Sequence, residues 1–259
     1  MNKEKILEKK ERVQMSNEKI LESTQILNSG LFFEKSKTLI IGDLQLGYEE
    51  NLNQQGVMIP RVNLKQIMKK LEEIFSKIGK IEKVIINGDL KHEFGRVSEQ
   101  EWNEVLDVLR YLKQWSKEVI VVKGNHDVFF APIGKWENMK VQENYFLENE
   151  KILILHGHKI PDKNKEFAQA KILIIGHEHP AVTLREGSTV HKYKCFLKGK
   201  WTTKTIVVMP SFSELSGGHD ILKQETLSPF LENGLSEFQV WVVEDQTYYF
   251  GKIKDLMEK

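Results

Sequence analysis

The sequence has almost no cysteine and no long apolar segment. Cys195 is its single cysteine, which excludes an intramolecular disulfide and a zinc finger built on cysteine ligands. A lone thiol fits a reducing compartment, so we expect a cytoplasmic protein. No segment approaches the ~20 consecutive apolar residues of a membrane-spanning helix, and residues 1–25 are too charged to be a signal peptide. We therefore expect no membrane partner.

The sequence also lacks a large net charge of either sign. Lys and Arg total 38 against 37 for Asp and Glu, which excludes a general attraction to nucleic acid or to an anionic membrane. Residues 181–204 depart locally from this balance, with six Lys or Arg and one Glu interleaved with His191, Tyr193, Phe196 and Trp201. This composition is typical of a groove that follows a nucleic-acid backbone and stacks its bases, and equally of an ordinary solvated face.

Internal repeats, low-complexity tracts and linkers rich in Pro, Gly or Ser are absent as well. The 259 residues exceed the usual ~100–200 of one domain but still fit one large α/β domain. The first residues carry charges of both signs around sparse apolar positions, which indicates a helical or frayed extension. We predict a charged helical extension over residues 1–25 and a single domain over residues 26–259.

The remaining chain is organised by apolar runs that end in polar residues. The run at 119–122 is β-branched, predicts a buried strand, and gives way within two residues to Gly, Asn, His and Asp. Four other apolar runs also end in Asp or His next to Gly. They are residues 38–41, 84–86, 151–155 and 171–175. Gly, Asn and Asp are common in turns, but a shared destination explains five such strand ends more simply than five separate turns.

Helical patterns separate the first three runs in chain order. One helix is predicted to open at Pro60 and to end at Gly79, and the next begins at the capping-box pair Ser98 and Glu101. Alternating strands and helices predict βαβ units with parallel strands. The later part of the chain is rich in short strands, which predicts a second sheet packed on the first.

The polar residues at the strand ends form a chemically consistent set. The carboxyl ends of parallel strands meet at one edge, so residues distant in sequence can converge there. Mixed imidazole and carboxylate groups suit first-row divalent metals. The strand-end residues are Asp43, Gln45, Asp89, His92, Asn125, His126, Asp127, His156, His158, His177 and His179. They are numerous enough for two ions, and Asp89 is the candidate for the two-oxygen ligand that bridges them. Any one histidine alone could equally be an ordinary hydrogen-bonded residue.

The order of these motifs resembles the calcineurin-like metallophosphoesterases over residues 38–215. The matching motifs are Asp43-x-Gln45, Gly88-Asp89-x-x-His92, Gly124-Asn125-His126-Asp127, His156 and Gly176-His177-x-His179. Two further segments, 55–61 and 210–218, are similar to the ICC-like phosphoesterases of archaea and bacteria. That branch includes a ligase-associated DNA-repair endonuclease.

The resemblance implies an α/β sandwich of two mixed β-sheets flanked by helices, in four layers. It implies one metal held by Asp43, Gln45, Asp89 and His179, and a second held by Asp89, Asn125, His156 and His177. Manganese is the expected metal, with iron, zinc, nickel, cobalt or magnesium as alternatives, and a water that they activate would attack phosphorus. His126 would be the general acid or a hydrogen-bond donor to the transition state, Asp127 would orient it through a hydrogen bond, and His92 would lie near the phosphate.

Gln45 departs from the family pattern, because most members have His at this position. A neutral amide oxygen is a weaker donor than imidazole, so we expect the first metal to be held less tightly. The leading function is hydrolysis of phosphodiester bonds in DNA or RNA. The alternatives are hydrolysis of a small nucleotide or phosphoprotein, and a metal-poor binding scaffold, although a scaffold has no need of an intact ligand set.

Overall fold

The computed structural model describes residues 18–92, 98–127, 140–186, 189–223 and 225–257. Within these residues the chain forms fifteen strands and five helices. The strands are β1 (Thr24–Leu27), β2 (Gly30–Phe33), β3 (Thr38–Ile41), β4 (Ile81–Asn87), β5 (Ser116–Val122), β6 (Lys140–Gln142), β7 (Asn144–Leu147), β8 (Ile152–Leu155), β9 (Ile172–Ile175), β10 (Pro180–Glu186), β11 (Thr189–Trp201), β12 (Lys204–Val208), β13 (His219–Asp220), β14 (Gln239–Val243) and β15 (Thr247–Lys252). The helices are α1 (Tyr48–Gln54), α2 (Asn63–Ile78), α3 (Glu99–Trp115), α4 (Lys165–Gln169) and α5 (Ile253–Met257).

Two mixed sheets form the sandwich that the sequence predicts. The first has the order β1-β2-β3-β4-β5-β6, antiparallel from β1 to β3 and parallel from β3 to β6. The second has the order β13-β10-β11-β12-β9-β8-β7, with β14 paired to β11 and to β15. Strands β8, β9 and β12 are parallel. Because α2 and α3 connect the parallel strands β3, β4 and β5, the predicted βαβ units are confirmed.

Side-chain alternation along the strands builds the layers. On β4, Val84 and Ile86 pack with the helices, whereas Ile85 points between the sheets. Ile154 and Ile174 of the second sheet pack in the same central layer. All five side chains are fully buried, and each such burial stabilises the fold by roughly 1.5–3 kcal/mol.

Local capping sets the starts of the two long helices. Helix α2 begins at Asn63 rather than at Pro60, because the buried Glu49 carboxylate accepts hydrogen bonds from the backbone N–H groups of Val62 (2.8 Å) and Asn63 (2.6 Å). Helix α3 follows Ser98, whose hydroxyl accepts from the backbone N–H of Glu101 at 3.1 Å, as the capping pattern predicts.

The outer face of the second sheet is covered differently from that of the first. Phe230, Leu231 and Leu235, which lie outside the helices and strands, pack there together with Ile253 of α5. The outermost layer on this side therefore consists largely of irregular chain. None of the helices in the described residues is both long and apolar enough to cross a bilayer.

The predicted N-terminal extension needs a correction where the structure describes it. Residues 18–25 contain no helix: Ile20 and Leu21 are buried in the central layer, and β1 begins at Thr24. The indole N–H of Trp241 donates to the carbonyl of Glu18 at 2.9 Å, which fixes this segment on the second sheet. Residues 1–17 lie outside the described part of the chain.

Candidate metal centre

The predicted ligands follow the carboxyl ends of strands in both sheets. Asp43 and Asp89 lie just beyond β3 and β4, which are paired in register at Ile41 and Ile86. His156 and His177 lie just beyond β8 and β9, which are paired at Leu155 and Ile175. The carboxyl edges of the two sheets therefore supply opposite sides of one site.

The backbone at these strand ends adopts an unusual conformation. Five predicted ligands have a positive φ angle, a region that residues other than glycine rarely occupy. They are Asp43 (54°), Gln45 (48°), Asp89 (45°), His177 (64°) and His179 (47°). Such conformations cost of order 1–3 kcal/mol each and cluster at functional sites. The strained backbone positions therefore coincide with residues predicted to hold the metals.

The glycines of the motifs allow the ligands to approach closely. A Cβ atom on Gly88 would lie 2.1 Å from His156 Nδ1, and one on Gly124 would lie 2.0 Å from Asp89 Oδ1. A Cβ atom on Gly176 would lie 2.5 Å from Asp43 Oδ2. Each glycine thus leaves room for a ligand that comes from a different motif.

Asp89, His156, His177 and Asn125 form the first of two donor groups. Asp89 Oδ2 lies 3.3 Å from His156 Nε2, and Asn125 Oδ1 lies 3.0 Å from the same nitrogen. Donor atoms of Asp89, His156 and His177 all lie within 4.8 Å of one another. The structure thus brings together all four residues predicted to hold the second metal.

Asp43 and His179 form the second donor group. Asp43 Oδ1 and His179 Nε2 are 3.0 Å apart, and neither has a hydrogen-bond partner among the described residues. The other ring nitrogen, Nδ1, is 3.1 Å from Ser216 Oγ. When Nδ1–H donates to this hydroxyl, the Nε2 lone pair faces the carboxylate, which is the arrangement of two ligands toward a cation.

Gln45 is placed through its backbone N–H, which donates to Asp89 O at 3.0 Å. The ligand role of its amide stays a prediction.

The electrostatics of the cluster favour positive charge. Burial opposes ionisation of Asp89, but His156 and His126 outweigh it and hold the pKa of this carboxyl below its usual range. Burial likewise opposes charge on His156, but Asp89 and Asp43 raise its pKa to about 9. Burial and then the charge of His156 lower the pKa of His177 to about 4. A carboxylate and two imidazoles thus surround one position, and this donor set fits a divalent first-row metal.

The sequence of residues 36–234 matches the model of one family, the calcineurin-like phosphoesterases. The chain belongs to this family. Metallophosphoesterases of this family are metal-dependent hydrolases of phosphate esters, which agrees with the donor set at the strand ends. Among curated protein sequences none matches the chain significantly.

The fold of this phosphoesterase is also found in a solved structure. The chain is similar to the Pseudomonas putida nuclease MPE, with a TM-score of 0.61 and 16% identity over 87% of this chain and 93% of that chain. A predicted phosphoesterase from Streptococcus pneumoniae has a TM-score of 0.33 and 18% identity over 83% and 93% of the two chains. Zinc-bound Vps29 from Entamoeba histolytica has a TM-score of 0.31 and 22% identity over 80% and 86%.

His126 of the phosphoesterase lies at the edge of the donor group, and its orientation differs from the predicted one. Its Nδ1 is 2.5 Å from the carbonyl oxygen of His92, so this nitrogen donates and Nε2 is directed to Asp89 Oδ2 at 3.8 Å. Asp127 was predicted to orient His126, but its carboxylate instead accepts from the N–H of Gly124 (2.9 Å) and of Lys91 (3.5 Å). Burial and the charge of Asp89 raise the pKa of Asp127 to about 6. Asp127 thus fixes the backbone of the loop that carries His126 and does not orient the His126 ring.

The His92 ring lies between the rings of His126 and Tyr48. The His92 ring is 5.6 Å from that of His126 and 4.2 Å from that of Tyr48. The position of His92 near the phosphate stays a prediction. Tyr48, three residues after Gln45, was not among the predicted site residues. His158 also approaches the site, with its ring 5.4 Å from that of His156.

Glu178 and Ser216 support the histidine ligands and were also missed. Glu178 is fully buried and accepts hydrogen bonds from the backbone N–H groups of Leu227 (2.8 Å) and Ser228 (2.9 Å). Its other oxygen lies 2.7 Å from His219 Nδ1. Since Glu178 stands between His177 and His179, this carboxylate anchors the peptide that carries both. An acidic residue between two predicted ligands was the available signal in the sequence.

Trp201 of the basic stretch 181–204 is not available for the base stacking that one hypothesis predicted. Trp201 packs against Phe167 and Phe230, with ring centroids 5.5 and 5.1 Å away, on the outer core of the second sheet. Lys194 is largely enclosed and donates to Ser211 O at 2.9 Å. A base-stacking role for Trp201 would break these contacts. The tryptophan is a core residue, and the hypothesis is wrong for it.

Proposed function

We propose that the protein is a phosphodiesterase with two divalent metal ions and that it cleaves DNA or RNA. One observation carries the two-metal proposal: His156 lies between two carboxylates, with Nε2 3.3 Å from Asp89 and Nδ1 3.7 Å from Asp43. The two donor groups are therefore contiguous, and Asp89 is the carboxylate that we propose would bridge the two ions. When bound, such a pair of ions would stabilise the attacking and leaving oxygens of a phosphoryl displacement and would activate water.

The protein's own residues contribute a proton and a fixed geometry. The His92 carbonyl holds His126 Nδ1, so a proton taken up by this ring resides on Nε2, on the side of Asp89. From there it can be donated to the leaving oxygen. The backbone N–H of His126 donates to Asp89 Oδ1 at 3.0 Å, which ties the acid to the proposed bridging carboxylate.

Nucleic acid is the substrate to test first. The proposal is supported by the motif resemblance to ICC-like phosphoesterases and by the shared fold with the P. putida nuclease. A small nucleotide or a phosphoprotein is the competing substrate, because the same metals could hydrolyse either. Manganese is the proposed metal, and no protein partner is proposed.

The decisive experiment compares the parent protein with Asp89→Asn and with Asp107→Asn, an exposed aspartate of α3. We expect Asp89→Asn to remain folded while losing most bound manganese and the hydrolysis of bis-p-nitrophenyl phosphate, and Asp107→Asn to retain both. Near-parental turnover by Asp89→Asn would refute the two-metal assignment. Single-stranded, double-stranded and mononucleotide substrates then separate a nuclease from an enzyme for small substrates.

A further inference from the structure

A second pocket lies on the far side of the loop that supports Asp43 and His179. This loop, residues 211–218, joins β12 to β13 and is called here the support loop. The pocket has a volume of about 430 Å³. Its charged lining residues are Lys70, Lys192, Lys194, Glu214 and Glu244. Two of the lysines, Lys192 and Lys194, belong to the basic stretch 181–204.

The three lysines all donate to carbonyl groups of the support loop. Lys194 Nζ donates to Ser211 O at 2.9 Å and also to Ser213 O. Lys70 Nζ donates to Phe212 O at 3.0 Å and pairs with Glu214. Lys192 Nζ donates to Gly218 O. An ammonium group has three N–H donors, so these bonds within the described residues leave each lysine at least one donor for a ligand.

Three lysines and two glutamates line this pocket, so its charge is incompletely balanced. Burial and then the charge of Lys70 lower the pKa of Lys194 to about 7, and the charges of Glu214 and Asp43 only partly oppose this. A buried ammonium becomes stable when an anion joins it. The chemistry that suits several ammonium donors around one pocket is that of a phosphate group, which has several strong acceptor oxygens.

We propose that Lys70, Lys192 and Lys194 form a binding site for a phosphate group. The support loop links this site to the metal centre, because Ser211 Oγ donates to Asp43 O at 2.7 Å and Ser216 Oγ contacts His179 Nδ1 at 3.1 Å. The phosphate is either a backbone phosphate of a bound nucleic acid, at a position away from the scissile bond, or a free phosphate. The first source rests on the proposed nuclease function, and the second does not.

The test uses the manganese-loaded protein with Lys192→Met and Lys194→Met. The control is Lys200→Met, which changes an exposed lysine of the same strand that contacts Thr205 Oγ1. In the first arm, kcat/KM is measured on a single-stranded oligonucleotide and on bis-p-nitrophenyl phosphate, which has no flanking phosphate. If the site holds a backbone phosphate, the loss on the oligonucleotide is at least tenfold larger than on the small diester. The slope of log affinity against log salt also becomes shallower by about 0.7.

In the second arm, inorganic phosphate is titrated calorimetrically into the same proteins. If the site holds free phosphate, each pocket variant binds one phosphate fewer per chain than the parent and the Lys200→Met control. The proposal is overturned when both pocket variants match the control in both arms. Lys192→Met keeps the test valid if Lys194→Met disturbs the support loop. If the parent hydrolyses no diester at all, the proposed function fails, and the calorimetric arm alone decides the pocket.

Discussion

Gly124→Ala tests the close packing at the metal centre most directly. The new Cβ atom would lie 2.0 Å from Asp89 Oδ1 and 2.4 Å from the backbone nitrogen of Asp89, whereas real Cβ contacts shorter than 3.0 Å are essentially never seen. Either the loop at Gly124 or the proposed bridging carboxylate must therefore move by about 1 Å. A displacement of this size at a catalytic site costs about 10²-fold in rate, and such overpacking costs about 1–3 kcal/mol of stability.

The assay is hydrolysis of bis-p-nitrophenyl phosphate with manganese, combined with urea unfolding. Gly234→Ala is the matched control, because its Cβ would meet nothing within 4 Å while its φ of +88° still strains alanine. A left-handed conformation costs alanine about 1–2 kcal/mol, so both variants should lose similar stability. Only Gly124→Ala should lose turnover. A parental rate in folded Gly124→Ala would show that Asp89 has no fixed position in the reaction.

Three further substitutions test individual side chains. His126→Ala should retain metal but lose roughly 10²–10⁴ in rate on a diester with a poor leaving group, and less on one with a good leaving group. Equal losses on both would remove the general-acid role. Gln45→His should lower the manganese concentration for half-maximal activity, because imidazole is the stronger donor; an unchanged titration would show that Gln45 is not a ligand. Glu178→Ala should destabilise the fold by roughly 1–3 kcal/mol for each of the two amides that it leaves unpaired, and Glu178→Gln should recover most of this. A parental urea midpoint for Glu178→Ala would contradict the anchoring role.

The parts of the site that follow from local sequence were predictable. A β-branched run such as 84–86 predicts a buried strand, and the polar residues after it must then emerge at the end of that strand. Alternation of strands and helices predicts parallel pairing, which brings strand ends such as Asp43 and Asp89 to one edge. The convergence of His156 and His177 on the same site follows from the second sheet, whose parallel strands β8 and β9 end beside them.

The prediction for the basic stretch failed because composition ignores which face of a strand each residue occupies. Successive side chains of β11 point to opposite faces. Trp201 shares its face with Cys195 and Leu197, which are buried in the outer core, whereas Lys192 and Lys194 point to the other face. The alternation was present in the sequence, so Trp201 could have been recognised as a core residue once the strand was identified. The two β11 lysines of the proposed phosphate pocket accordingly lie on one face of that strand, and the proposal involves no aromatic stacking.

The network that holds the first motif could not be predicted, because its members are ordinary residues far apart in the chain. Asn63 Nδ2 donates to the carbonyls of Leu44 (3.1 Å) and Gln45 (3.3 Å), and Ser213 Oγ donates to Asn63 Oδ1 at 2.8 Å. These groups are buried, so each unmade bond would cost about 1–3 kcal/mol. The positive φ angles of Asp43 and Gln45 cost a similar amount each. The hydrogen bonds therefore offset the strain that directs the ligands into the site. Because the same support loop that provides Ser213 is bonded by Lys70 and Lys194 on its outer side, a phosphate bound there would act on the loop that fixes the metal ligands.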